Sequence, residues 1–373
     1  MEAGTISPAA TAALLLPDDL LLEILIRLPP EPIYLFHASS VSKHWRGLVH
    51  DARFLRRFRE FHGKTPPVLG FFHNQPRPQR FVPVSDGFTV PTATMSHNHG
   101  WTLDCRHGHA LLFDCEEFET LLVLDLVNGD KHYLPLPPAY EADRHWHYNG
   151  TVLRAPTHGD RHPRTFLVAF VFNNQPDSIS ACVYSSETGV WGEITSIHVV
   201  PYWLVQFRLP ALVGNNLYVL SNTSIIVFDL DNHRLDQIED VPFSYEETII
   251  MQTKDGLFGL AGLDEFKLHL WSRLTSTDGV VSWTLHRVID LERLLATEVV
   301  AAARTVLMKL IGYAEDADVI FIGVYCSIYM IHLKSMQIHE ASAKVPYIYV
   351  FPYASFYTPA GITTGAGDDQ AQL

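Results

Sequence analysis

The apolar residues near the start of the chain recur at helical spacing. Between residues 17 and 28 they form one stripe, made of Leu20, Leu21, Ile24, Leu25 and Leu28. Pro17 suits the first position of a helix, because the N–H that proline lacks has no partner there. The pair Pro29-Pro30 ends the pattern, since proline cannot continue a helix. The pattern therefore predicts one short amphipathic helix.

Three further short helices are predicted before residue 63. Glu31-Pro32 opens the second, and the third runs through Val41, Trp45, Leu48 and Val49. Asp51 is suited to cap the fourth, because its carboxylate can accept hydrogen bonds from the first free N–H groups. A module of about 50 residues carries more apolar surface than it can bury alone. It is either a helical cap on the next domain or a helix-packing site for a partner.

The segment 16–49 resembles the F-box motif. That family begins with Leu-Pro, here Leu16-Pro17, and continues with Ile-Leu and Leu-Pro, here Ile24-Leu25 and Leu28-Pro29. It ends with a Val-Cys-Lys-x-Trp-Arg signature, which reads Val41-Ser42-Lys43-His44-Trp45-Arg46 in this chain. Serine replaces the usual cysteine, and both are small. The elements occur in the family's order and spacing, over the first sixth of the chain.

The resemblance implies that residues 16–62 dock onto the Skp-type adaptor of an SCF (Skp–cullin–F-box) ubiquitin ligase, and through it onto a cullin. Eight residues are carried over as adaptor contacts or as braces of the contacting helices: Leu16, Pro17, Leu20, Ile24, Leu25, Leu28, Val41 and Trp45. Trp45 is expected to be mainly a core residue, since a tryptophan at helical spacing usually is.

Beyond a junction at residues 63–67, short apolar runs alternate with polar turns, which indicates an all-β domain over residues 68–360. A three-strand unit recurs, and its turns centre near residues 129, 188, 232, 278 and 335. The spacings between these turns suit propeller blades of about 40–50 residues with insertions. Residues 68–85 and 347–356 are candidates for a first blade and a closing strand, which gives five to six blades. A short helix is expected at Arg287–Thr297.

The predicted fold class is therefore α+β multidomain, with a small all-α F-box followed by a mainly-β, propeller-like domain. The β domain resembles the kelch-like F-box-associated domains of plant F-box proteins, without the Gly-His and Trp-Asp signature of WD repeats. Residues 1–15 and 361–373 are expected to be disordered, since they are rich in small residues.

Charge limits the partners. The formal net charge is −14, and the residues after 67 hold 19 Lys+Arg against 34 Asp+Glu. An acidic domain is unsuited to nucleic acid or to an anionic membrane surface.

The four cysteines, at 105, 115, 182 and 326, show no CxxC spacing, which is typical of buried thiols in a reducing compartment. The apolar stretch 9–16 lacks the cationic flank of a signal peptide. We expect the protein in the cytoplasm, the nucleus or both.

A cluster of zinc-type ligands occurs at His97, His99, Cys105, His107, His109 and Cys115. On an extended strand, Cys105, His107 and His109 would share one face. Their spacing matches no zinc finger, and Gly108 indicates a turn. With 20 histidines in the chain, clusters arise by chance. The sequence therefore predicts no metal and no cofactor.

No catalytic motif is present: the chain has no G-x-S-x-G elbow, no P-loop and no G-x-G-x-x-G. Cys182 paired with a distant histidine is a possible nucleophile, but a buried packing thiol is the more common role. The leading interpretation is a non-catalytic substrate receptor. The alternatives are a propeller enzyme or sugar-binding propeller with an incidental helical cap, and an F-box protein that acts outside any ligase.

The target, an unidentified protein, is expected to bind loops at one rim of the β domain. Loops are free to vary, and aromatic side chains there bury much area at little entropic cost. Trp146 and Tyr202 are the candidate anchors. His145 and His147 flank Trp146 in a predicted surface loop. The alternative for residues 200–207 is a further strand.

Overall fold

The computed structural model describes residues 16–74, 80–84, 100–114, 120–126, 129–140, 147–154, 165–175, 177–199, 208–221, 224–242, 248–253, 255–275, 278–344 and 349–356. The chain divides into two compact units, one of residues 1–67 with 356–373 and one of residues 68–355. The predicted disordered segments, 1–15 and 361–373, lie outside the described residues. Each helix in the described part is too short or too polar to cross a membrane.

The described part of the first unit contains four helices: α1 (Asp18–Leu25), α2 (Pro32–Val41), α3 (Lys43–Val49) and α4 (Ala52–Phe61). They share one small core, formed by Leu21, Leu25, Ile26, Leu35, Ala38, Val49, Phe54, Leu55 and Phe58. The helices are short, so most of their stability must come from this packing rather than from helix propensity.

Capping side chains set the helix boundaries. Asp51 accepts hydrogen bonds from the N–H groups of Arg53 and Phe54, at 2.8 and 3.1 Å, which confirms the predicted cap of α4. Ser42 is extended and accepts a bond from the Trp45 N–H at 3.1 Å, so it caps α3. Val41 therefore ends α2, and its prediction as part of the third helix was wrong. Pro17 likewise precedes α1 as its N-cap.

The second unit is built from six antiparallel sheets among the described residues. The strands are, sheet by sheet: β24 (Val350–Ala354), β1 (Val68–His73) and β2 (Arg80–Pro83); β3 (Gly100–Arg106), β4 (His109–Asp114), β5 (Thr120–Asp125) and β6 (Lys131–Leu134); β7 (Tyr148–Arg154), β8 (Phe166–Gln175), β9 (Ser178–Ser185), β10 (Val190–Trp191) and β11 (Thr195–His198); β12 (Ala211–Val213), β13 (Asn216–Leu220), β14 (Ile225–Asp229) and β15 (Arg234–Ile238); β16 (Thr248–Gln252), β17 (Phe258–Asp264), β18 (Lys267–Thr275) and β19 (Val281–Asp290); β20 (Lys309–Ala314), β21 (Val319–Val324), β22 (Ser327–His332) and β23 (Ile338–Lys344).

The first strand of each sheet faces a common axis. Strand β3 contacts β7 on one side and β24 on the other, while β20 contacts β24 and β16, and β16 contacts β12. The sheets pack face to face around these inner strands through large buried residues such as Phe170, Phe228 and Phe321. The result is a six-bladed β-propeller, at the upper end of the predicted range.

The two ends of the propeller sequence meet in one blade. Strand β24 pairs antiparallel with β1, and Phe351 lies opposite Phe72. Both side chains are fully buried. This arrangement confirms the predicted first blade and closing strand, because residues near 70 and near 350 now form a single sheet.

Two predictions about this unit were wrong. The three-strand repeat omitted the inner strand of the five blades it covered; among these strands, β3 is interrupted by buried polar residues and β12 is short. The helix expected at Arg287–Thr297 is displaced, because β19 continues to Asp290 and the helix α5 occupies Thr297–Thr305. Leu291 and Leu295 mimic helical spacing, but they are buried in a turn that packs on the blade core.

Candidate functional site

Helix α1 has two apolar faces, and only one of them is used by the core. Leu21 and Leu25 are buried, with Leu25 only 1% exposed. Leu20 and Ile24 lie four residues apart on the other face and are 54 and 50% exposed, and Leu16, two residues before the helix, is 51% exposed. Helical residues four apart are neighbours, so Leu20 and Ile24 form an apolar stripe, and together with Leu16 beside its N-terminal end they are here called the α1 stripe.

The other residues carried over from the F-box motif fall into two groups. Pro17 and Val41 are exposed, and Val41 is 62% exposed at the end of α2. Leu28 and Trp45 are partly buried against the helical core. Leu25 is therefore a brace, while the exposed residues are the ones a partner could touch. Tyr34 on α2 is also exposed, and the sequence reasoning did not single it out.

Polar links hold α1 in place beside its neighbours. The Glu23 carboxylate accepts hydrogen bonds from Arg57 of α4 at 2.9 Å and from Arg27 at 3.0 Å. These bonds, first that of Arg27 and then that of Arg57, lower the pKa of Glu23. Asp18 and His44 of α3 lie 2.9 Å apart. The links connect α1 to α3 and α4 and leave Leu20 and Ile24 uncovered.

On the propeller, neither predicted target anchor can be placed. Trp146 and Tyr202 lie outside the described residues, as does His145, and His147 is partly buried at the start of the following segment. The prediction that they bind a target stays a prediction.

The described part of the propeller contains a different candidate, an axial pocket of about 110 Å³ at the end of the inner strands. Its three carboxylates and its guanidinium come from the end of β3 and from the turn that follows β20, at Asp104, Arg106, Glu315 and Asp316. Its apolar lining includes Leu212 of β12, Ile250 of β16 and Pro352 of β24. Five inner strands therefore contribute to one cavity on the propeller axis.

A buried ion-pair network forms the floor of this pocket. Arg106 Nε donates to Asp104 Oδ2 at 2.7 Å, Nη1 donates to Glu315 Oε2 at 3.3 Å, and Nη2 donates to the Pro210 carbonyl at 3.2 Å. Thr151 of β7 also donates to Asp104 Oδ2. Asp104 and Arg106 side chains are only 1 and 11% exposed. The network ties together three blades and the segment before β12.

Burial and charge act against each other in this network. Burial alone would lower the pKa of Arg106, but the attraction of Asp104 and Glu315 outweighs it, so the pKa is raised and the guanidinium stays charged. Burial raises the pKa of Glu315, Arg106 opposes this, and repulsion by Asp316 and Asp104 adds to it. The pocket therefore carries more carboxylate than it can neutralise itself.

Replacement of Arg106 by methionine is expected to destabilise the propeller strongly. The Asp104 carboxylate would then stay buried without its cation, which typically costs about 3–5 kcal/mol. The matched control is Arg234→Met, since Arg234 pairs with Asp236 at 3.5 Å with both side chains mostly exposed. Its expected cost is below about 1 kcal/mol. Urea unfolding of both variants measures this, and equal losses would contradict the structural role of Arg106.

The zinc-type cluster does not form the shared face considered above. Strand β3 ends at Arg106, and His107 and Gly108 have positive φ values of 53 and 84° in a tight turn. The chain reverses there, so Cys105 pairs with Ala110 instead of aligning with His109. Within the described segments, no three His, Cys, Asp or Glu side chains are arranged to hold a metal ion. His97, His99 and Cys115 lie outside them.

The cysteines that the structure describes carry free thiols. Cys105 and Cys182 are buried, as predicted, while Cys326 is partly exposed and Cys115 lies outside the described residues. Burial raises the pKa of Cys182 to about 12, so its sulfur stays protonated at neutral pH. A protonated buried thiol suits packing and is a poor nucleophile.

Comparison with known proteins identifies the family of the chain. Residues 101–360 match the family model described as "F-box protein AT5G49610-like, beta-propeller", and residues 14–57 match the F-box domain. The propeller match spans more than half of the chain. The chain belongs to the AT5G49610-like F-box proteins. The match starts inside β3, so β1 and β2 of the closing blade lie before it.

Three Arabidopsis thaliana relatives show how far the likeness to this family extends. F-box protein At5g03970 is 21% identical over 90% of this chain and 85% of its own length. F-box protein At5g07610 is 22% identical over 80% of this chain and 78% of its own length. F-box/kelch-repeat protein At3g61590 is 27% identical over 48% of this chain and 44% of its own length. Only this last name supports the predicted kelch-like character, and it does so loosely.

Within this F-box protein, the α1 stripe and all eight predicted adaptor residues fall inside the matched segment 14–57. The axial pocket lies in the propeller match and was missed by sequence reasoning. One signal for it was available, because Asp104 interrupts an otherwise largely apolar run beside the predicted turn at Gly108.

Proposed function

We propose that this chain is the substrate-recognition subunit of an SCF-type ubiquitin ligase. The observation that carries the proposal is the α1 stripe: Leu16, Leu20 and Ile24 are half exposed in a segment that matches the F-box domain. Apolar surface that a small helical unit leaves uncovered is suited to a partner helix. In this proposal the stripe, with Val41 and Pro17, binds the Skp-type adaptor, and the adaptor connects the chain to a cullin.

The propeller then holds the target protein. Its loops and its axial pocket are the surfaces available for binding, and the predicted anchors Trp146 and Tyr202 belong to this part of the proposal. Catalysis arises from proximity, because tethering raises the concentration of target lysines near the charged ubiquitin-conjugating enzyme. No residue of this chain has to make or break a bond. Free thiols at Cys105, Cys182 and Cys326 support placing the receptor in the cytoplasm, the nucleus or both.

The test is affinity purification of the tagged full chain from plant cells, followed by mass spectrometry. We expect a Skp-type adaptor and a cullin with the wild type, and their loss with the double variant Leu20→Ala/Ile24→Ala. Proteins held by the propeller should remain with this variant and accumulate, because they are no longer ubiquitylated. A double variant that still recovers adaptor and cullin would contradict the assignment of the α1 stripe.

A further inference from the structure

The axial pocket has an excess of negative charge that its own residues do not balance. Three carboxylates line it, from Asp104, Glu315 and Asp316, against the single guanidinium of Arg106. Asp316 is exposed and makes no hydrogen bond or ion pair within the described part of the chain. A positively charged group in this cavity would be attracted by the unbalanced carboxylates.

A buried carboxylate oxygen supplies a second, independent observation. Asp104 Oδ1 is buried and accepts no hydrogen bond among the described residues, although Oδ2 accepts two. Burial of an acceptor without a donor is costly, so such atoms in folded proteins usually have a partner. Asp104 lines the cavity. A hydrogen-bond donor in the pocket would supply that partner once the side chains that cover Oδ1 move aside.

Arg106 does not make the pocket an anion site. Each of its three nitrogens already donates, to Asp104, to Glu315 and to the carbonyl of Pro210. A phosphate or an acidic side chain would have to compete with these bonds and would meet Glu315 and Asp316 at the same time. An anion and these carboxylates would repel each other inside one small cavity. The pocket therefore selects donors and cations.

The walls show what kind of cation fits. Leu212, Ile250 and Pro352 line the cavity beside the carboxylates. An apolar wall that leads to an acidic end suits a long alkyl chain with a charged tip, which buries its stem and keeps the tip among acceptors. A compact metal ion is less suited, because no three His, Cys, Asp or Glu side chains of the described residues are arranged to hold one.

We infer that the axial pocket of the propeller binds the side chain of a lysine or arginine of the target protein, with Asp104, Glu315 and Asp316 around its charged end. This inference rests on the proposed receptor function, since it names the chemistry that the propeller recognises in its target. It implies a target segment with an exposed basic residue that can reach the propeller axis.

The probes are Nα-acetyl-lysine N-methylamide and its arginine analogue, with the norleucine analogue as the uncharged match. Ligand-observed NMR on the full chain should show binding of a charged probe with a Kd on the order of 1 mM. The norleucine probe should bind at least about tenfold more weakly. Absence of charged-probe binding at about 10 mM, or equal binding of norleucine, would overturn the inference.

The pocket is tested with Glu315→Gln/Asp316→Asn, two substitutions in the turn after β20 that keep size and remove charge. Charged-probe binding should fall at least about tenfold. The matched control is Glu298→Gln/Asp236→Asn, which removes two exposed carboxylates away from the pocket and should leave binding unchanged. Unchanged binding in the pocket variant, with a wild-type melting temperature, would overturn the inference.

Two further arms separate this inference from other outcomes. Spermidine tests a free polyamine, and spermidine binding without blocked-lysine or blocked-arginine binding would overturn a side-chain site. Adaptor binding is measured on the same preparation. A full chain that binds the charged probes but not the adaptor would contradict the receptor function alone. A full chain that binds the adaptor but not the charged probes would contradict the pocket inference alone.

Discussion

Leu20→Ala combined with Ile24→Ala should lower the affinity of the purified chain for a Skp-type adaptor by roughly a hundredfold. Both side chains are half exposed on α1, so truncation removes contact surface without opening the helical core. Alanine is also the best helix former, so α1 should persist. Isothermal titration of the adaptor into wild type and variant measures the change.

A matched control separates loss of contact from loss of surface apolarity. Leu285→Ala with Val288→Ala removes two side chains of β19 that are 41 and 47% exposed on the propeller. This variant should bind the adaptor as the wild type does. If both double variants lose the same affinity, or neither loses any, the α1 stripe is not the adaptor site.

Phe351→Ala should destabilise the propeller by about 3–5 kcal/mol. Phe351 is fully buried in β24, the strand that closes the ring, and lies opposite Phe72 of β1. Truncation leaves a cavity at the point where the two ends of the propeller sequence meet. For a domain of this size, we expect the melting temperature to fall by roughly 10 °C.

Tyr133→Ala is the control for this prediction, because Tyr133 is an aromatic residue of β6 that is 53% exposed. It should change the melting temperature by no more than about 2 °C. Differential scanning fluorimetry of both variants gives the comparison. A Phe351→Ala protein that melts with the wild type would show that β24 does not close the ring in solution.

Local patterns predicted the elements whose signals are strong. The cap at Asp51 and the strands β13 and β14 follow from capping chemistry and from alternating apolar residues beside polar turns. Residues 68–85 and 347–356 were predicted as a first blade and a closing strand, and β1, β2 and β24 from these stretches form one sheet. The family resemblance added the adaptor role, which periodicity could not supply.

The inner strands were missed for a physical reason. Strand β3 has Thr102 and Asp104 fully buried, and β12 has only three residues, so neither shows a clear strand pattern. Polar residues are tolerated there because inner strands face the axis, where they bond across blades. Asp104, for example, is bonded by Thr151, which is 47 residues away in sequence. No local pattern contains that contact.

The same reason explains why the axial pocket was not predicted. Its carboxylates come from β3 and from the turn after β20, and Arg106 meets Glu315 across 209 residues of sequence. Only ring closure places the first full blade and the last one on either side of the closing blade, where Arg106 and Glu315 reach each other. In contrast, Leu20 and Leu21 were predicted in one stripe, but Leu21 is buried in the core and Leu20 is half exposed on the adjacent side of α1. Spacing places side chains around a helix, but packing decides which face remains free.

The most direct test of the receptor function is the mass of the complex that forms from purified components. The full chain, a Skp-type adaptor and the matching cullin are mixed and separated by size-exclusion chromatography with light scattering. We predict one species whose mass equals one copy of each protein, and no cullin binding when the adaptor is left out. A folded chain that elutes by itself in the presence of both partners would contradict the account.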